Sequence, residues 1–116
     1  YGPYRNVWGL RLSDDGAHAA WAAIAAGDPT AAWAYYVDGR AVVGGFTEAW
    51  RPRLDATNRR LAWLGRRGDR IRLGLDARQH ASVDEVLWGP KFTDATHLTW
   101  VVRRGHNVVR LDVRFD

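Results

Sequence analysis

The chain has 116 residues, 47% of them hydrophobic and 26% charged, a balance that suits one globular domain and excludes a disordered chain. No apolar run approaches the ~20 residues that a membrane-crossing helix needs, and the absence of cysteine excludes a disulfide framework, a thiolate metal site and a cysteine nucleophile. The net charge of +4, from 17 Lys and Arg set among 13 Asp and Glu, favours acidic partners, but the interspersed signs read as a charged soluble surface in preference to a nucleic-acid-binding one.

The first residues, YGPYRNV, align with the tail of a strand. Trp8 then opens a unit in which Leu10 and Leu12 follow at alternate positions, the period-two pattern of a strand. A polar turn, SDDG at 13–16, leads to a second strand carrying Trp21. A longer hairpin through AAGDPT follows, then a third strand ending in YYVD at 35–38 and a fourth in RAVVGGFTEA at 40–49. The alanine-rich stretch 17–34 also suits a helix by composition. Strands are expected there because Trp21 and the turn before it keep register with the units that follow.

Trp50 opens the phrase again, with Pro52 and Leu54, a turn DATN at 55–58, and a strand carrying Trp63. A tip RRGDR at 66–70, a third strand ending in LGLD at 73–76 and a fourth in HASVDEVL at 80–87 complete it. Trp88 opens the third round, with Pro90, Phe92, TDAT at 93–96, Trp100, RRGHN at 103–107 and RLDV at 110–113. Four short antiparallel strands in about 40 residues match the blade of a β-propeller. Pro52 and Pro90 suit an edge strand, since proline cannot donate to the ladder.

LRLSDDGAHAAWA, PRLDATNRRLAWL and PKFTDATHLTWVV resemble the propeller repeat of TolB-type and WD-like bacterial proteins. That repeat has an apolar-x-apolar strand, a Ser-Pro-Asp-Gly turn and a Leu-Ala-aromatic strand, and VDGR at 37–40 fits the same pattern. The resemblance covers nearly the whole chain and implies an all-β fold of four-stranded units at about 8–49, 50–87 and 88–116. The last unit is incomplete, and residues 1–7 are placed to complete a blade. Activity does not follow, because such propellers serve as scaffolds, receptors and covers for catalytic domains.

Propellers close with about four to eight blades. The expectation is therefore half of a six-bladed ring closed by a homodimer, with the remainder of a split or longer propeller as the alternative. The chain opens at Tyr1 without an initiator Met, so cytoplasmic and exported locations both stay open.

In such a blade Trp8, Trp50 and Trp88 fall near the channel mouth of one face, either touching a ligand or wedging between blades. Arg66, Arg67, Arg103, Arg104 and His106 sit further out on that face, with Glu48, Asp84 and Glu85 in the loops between blades. Trp21, Trp63 and Trp100 are expected in the core. Arg11, Arg53 and Lys91 share one position on the inner strand. They form either a cationic belt able to hold an anion or partners for the recurring Asp38, Asp76 and Asp112.

Catalytic signals are weak. His18, His80, His97 and His106 lack metal-ligand spacing, Ser13 and Ser82 lack a nucleophile-elbow context, and VVGGF is not a phosphate loop. No catalytic residue, metal or cofactor is assigned. The reading is a binding or scaffold module for a protein or peptide. The alternatives are a small anionic or sugar ligand, or an accessory part of a larger propeller enzyme. A membrane partner is not expected.

Overall fold

The computed structural model describes residues 4–12, 16–55, 57 and 60–115. Among them are twelve strands in three antiparallel sheets and no helix. The first sheet runs in order β1 (Tyr4–Leu12), β2 (Ala19–Ala25), β3 (Trp33–Val37) and β4 (Arg40–Phe46). In the second, the short β5 (Glu48–Ala49) and β6 (Arg53–Leu54) both pair with β7 (Leu61–Arg67), which leads to β8 (Arg70–Leu75) and β9 (Arg78–Val83). The third holds β10 (Glu85–Asp94), β11 (His97–Arg104) and β12 (Asn107–Arg114).

The alanine-rich segment is thus a strand where it was most ambiguous. Ala20 and Ala22 face the second sheet and leave room for Trp63, while Trp21 points the other way. Junctions between sheets are single residues, Thr47 and Asp84, whose N–H groups donate to the Arg66 and Arg103 carbonyls at 2.8 and 3.0 Å. Each sheet therefore begins a few residues before its opening tryptophan. Residues 4–7, read as the tail of a strand, are the first half of β1, with Tyr4 opposite Ala25 and Val7 opposite Ala23. Of the expected turns, residues 13–15, 56 and 58 lie outside the described residues.

Pairing registers place the recurrent residues. Trp8 faces Ala22, Trp88 faces Val101, and the Trp50 N–H donates to the Leu64 carbonyl at 3.4 Å, each one place after the strand-two tryptophan. Arg11, Arg53 and Lys91 face Ala20, Ala62 and Thr99, each one place before it. Asp112 breaks the expected series. Asp38 and Asp76 have positive φ (51° and 53°) and accept from the N–H groups of Ala19 and Leu61, both at 2.9 Å. Asp112 lies inside β12 opposite Thr99, one place early, and Val113 stands where the others stand.

The sheets stack in chain order. Ala20, Ala22, Tyr35 and Phe46 of the first pack on Leu61 and Trp63 of the second. On the other face of the second, Leu64, Leu73 and Val83 meet Leu98, Trp100 and Val102 of the third. Trp63 and Trp100 are fully buried, as expected of core aromatics. What each strand-two tryptophan does depends on the residue opposite. Opposite Gly74, Trp63 donates Nε1–H to the Asp76 carbonyl at 2.7 Å, since a Cβ at position 74 would lie 2.1 Å from its ring. Trp100 instead has Leu111 opposite it, and Trp21 stacks on Tyr36 at 6.1 Å and 8°.

One face differs from its counterparts. Pro52 and Pro90 are buried, and Leu54 and Phe92 pack at the cores between sheets. Leu10 and Leu12, at the matching places of the first sheet, are 58% and 60% exposed. They belong to the sheet whose Trp21, Tyr4 and Tyr36 cluster edge-on and stacked on each other.

Candidate binding grooves

Three grooves open along the first strands. The most varied in chemistry lies between the second and third sheets, about 550 Å³, lined by Trp50, Arg66, Asp84, Glu85, Trp88 and Arg103, among others. It is built from a device used twice. Glu48 faces Arg66 across β5 and β7, and Glu85 faces Arg103 across β10 and β11. In each couplet the arginine Nε donates to the glutamate at 3.1 Å. Both pairs are largely solvated, so each contributes no more than about 1 kcal/mol to stability. Their effect is to fix where two guanidinium planes point.

Arg66 also lies 5.8 Å from the Trp50 ring centre. Trp50 is pinned from the first sheet by the buried Tyr35. The Tyr35 hydroxyl accepts the Trp50 N–H at 2.9 Å and rests against the Trp50 and Leu64 carbonyls. Burial pushes the Tyr35 hydroxyl well above the ordinary phenol range. Asp84, also lining the groove, accepts the Gly105 N–H at 2.6 Å and pairs with Arg70 at 3.6 Å. The Gly105 N–H first, with the Arg70 and Arg103 charges, holds the Asp84 carboxyl below its ordinary 3.8. Trp88 and Leu87 stand at the rim, 45% and 48% exposed.

A second groove, about 610 Å³, gathers Arg11, Arg53 and Lys91 from the three sheets, with Trp88, Phe92 and Asp94. Among the described residues none of the three cations makes an ion pair. The pairing expected with the recurring aspartates is absent because those carboxylates are already engaged. Asp38 takes His18 at 2.7 Å, Asp76 takes Arg60 at 2.6 Å, and Asp112 takes Thr99 and Arg110 at 2.7 and 3.1 Å. Lys91 Nζ lies 5.7 Å from the Trp88 ring centre instead. Asp94, the acid in this groove, is turned to Thr96 and His97, whose donors hold its carboxyl below 3.8.

Trp8 lines a third groove of about 390 Å³ with Trp33 and Glu48. It corresponds to the first groove, but Asn6 opposite Ile24 replaces the Glu–Arg couplet. The expected Arg-bearing tips separate. Arg66 and Arg103 enter the groove, whereas Arg67 folds back over Phe46, 4.6 Å from its ring, and donates to the Gly44 carbonyl. Arg104 and His106 are exposed at the outer tip. Glu48 and Glu85, expected in loops, are strand residues, and only Asp84 lies in a junction. Their spacing carried a signal: each precedes its opening tryptophan by two or three places, and Arg66 and Arg103 each follow the core tryptophan by three.

Among the described residues no group of three or more acidic or histidine side chains is arranged to hold a metal. His80 has its imidazole pKa lowered, chiefly by burial and then by Arg78. No family model matches the chain, and no curated protein or solved structure matches it either.

Proposed function

We propose that the chain is a non-catalytic binding module of β-propeller type, which takes a protein or peptide partner in the groove between its second and third sheets. The observation that carries this reading is the pairing of exposed Leu87 and Trp88 with the oriented guanidinium groups of Arg66 and Arg103. Aromatic and arginine side chains around an apolar rim are the composition of protein-recognition hot spots. Panning a displayed peptide library against the chain tests it. Enriched peptides should lose binding to Trp88→Ala and to Arg66→Ala and keep it for Arg78→Gln. Peptides that bind both groove variants as well as the parent chain would end the proposal.

A second reading, a small sugar or aromatic ligand, is favoured by Trp50 and Trp88 lining one cavity. Saturable quenching of tryptophan fluorescence by a single glycan, with no peptide enriched, would select it.

The same reading makes each sheet a blade. The exposure of Leu10 and Leu12, against the burial of Pro52 and Pro90, supports a further blade over the first sheet. A second copy of the chain supplies that blade, its third sheet covering Leu10, Leu12 and the Tyr4–Trp21–Tyr36 cluster, so that two copies close a six-bladed ring.

A further inference from the structure

We infer that the groove holding Arg11, Arg53 and Lys91 is a binding site for a small multivalent oxyanion, a molecule carrying two or more phosphoryl or carboxylate groups. Three separate sheets each deliver one cation to it, all from the same register position on the first strand. Stacked sheets lie about 10 Å apart, so the three cations approach the groove from different directions and suit a ligand with more than one charged group. A groove of about 610 Å³ has the volume of a small-molecule site.

The cations are available. No carboxylate among the described residues pairs with them, and Asp94, which lines the groove, spends its oxygens on the Thr96 N–H at 2.8 Å and on His97 at 2.8 and 3.0 Å. Three cations facing one groove, against the single described carboxylate of Asp94, raise the local potential, which favours an anion. The two guanidinium groups can each hold an oxyanion through paired N–H donors, whereas Lys91 acts as a point charge. Because Lys91 stands over Trp88, an anion that draws the ammonium away changes the surroundings of that indole. The site adjoins the Arg66–Arg103 groove at Trp88 and Gly89 but takes its cations from different residues, and it stands on the three described sheets, not on ring closure.

The test is calorimetric and fluorescence titration of the intact chain with pyrophosphate and, separately, citrate, at low and moderate salt. Saturable binding of either, with a change in tryptophan emission and affinity that falls as salt rises, is the expected result. Tighter pyrophosphate assigns a phosphoryl ligand, and tighter citrate a carboxylate one. Lys91→Gln and Arg53→Gln should each weaken binding about tenfold, the scale of one lost charge-assisted hydrogen bond. The surface variant Arg78→Gln should bind as the parent does. The inference is overturned by the absence of saturable binding to both anions, or by equal weakening in Arg78→Gln. Peptide binding in the other groove should survive Lys91→Gln, so failure here and failure of the peptide reading remain distinguishable.

Discussion

Gly74 is the residue on which the second sheet's packing turns. A methyl group added there would sit 2.1 and 2.4 Å from Cζ2 and Cε2 of Trp63 and 2.6 Å from the Arg78 carbonyl oxygen. The carbonyl belongs to the backbone and cannot swing aside. Trp63 is fully buried against Tyr35 and Phe46, at 6.2 and 5.1 Å between ring centres, so it has no open side to move towards. Displacing the indole would also release its bond to the Asp76 carbonyl. Overpacking of this kind costs about 1–3 kcal/mol. Gly74 has an ordinary backbone conformation, so alanine would otherwise stabilise by about 0.4–1 kcal/mol through the unfolded chain. With about 0.5–1.5 kcal/mol for the lost indole hydrogen bond, the net expectation for Gly74→Ala is a loss of about 1–3 kcal/mol, or a fall in Tm of roughly 4 °C per kcal/mol for a chain this size. Urea and thermal unfolding, followed by near-ultraviolet circular dichroism at one fixed concentration, measure it. A variant as stable as the parent, or more stable, would refute the placement of Trp63 over Gly74.

Three further outcomes are expected. Tyr35→Phe removes the shorter of two acceptors of the Trp50 N–H and a donor set against the Trp50 and Leu64 carbonyls, so urea unfolding should show a loss of about 1–3 kcal/mol with altered Trp50 emission. Glu48→Gln breaks an exposed ion pair and should change stability by less than about 1 kcal/mol, a size that double-mutant cycles with Arg66→Ala resolve. Asp38, Asp84, Asp94 and Asp112 all have folded-state pKa values below 3.8, set first by His18, the Gly105 N–H, the Thr96 N–H and Thr99 respectively. A depressed carboxylate stabilises the fold above its unfolded pKa of about 3.9 and loses that contribution as pH falls through the lower folded value. Urea midpoints should therefore fall below about pH 4, and Asp38→Asn should reduce that fall; an unchanged slope would show that Asp38 contributes nothing to it.

Much of the strand order was legible because alternation and the recurring tryptophans survive even where propensity argues otherwise. Ala19–Ala25 is a strand despite its helical composition, since the register with Trp63 and Trp100 outweighs alanine's preference. The shared position of Arg11, Arg53 and Lys91 was likewise readable, but their convergence on one groove is a matter of stacking that pairwise spacing does not encode. Asp112 misled because it pairs with Thr99, one place before Trp100, whereas Asp38 and Asp76 meet Ala19 and Leu61, two places before Trp21 and Trp63, and one place turns a side chain to the other face. Arg66 and Arg67 looked interchangeable for the same reason. Adjacent strand residues point oppositely, so Arg66 meets Glu48 and Trp50 while Arg67 covers Phe46. The Glu–Arg couplets went unread because they join residues 18 apart whose link exists only across the ladder.

The proposed second copy, covering the open face of the first sheet so that the sheets close as propeller blades, is read out by mass. Light scattering on the purified 13.1 kDa chain at micromolar concentration should give about twice that mass, and Leu10→Glu with Leu12→Glu should return it to one. A folded, stable species of 13.1 kDa for the parent chain, with Leu10 and Leu12 still open to solvent, would contradict it.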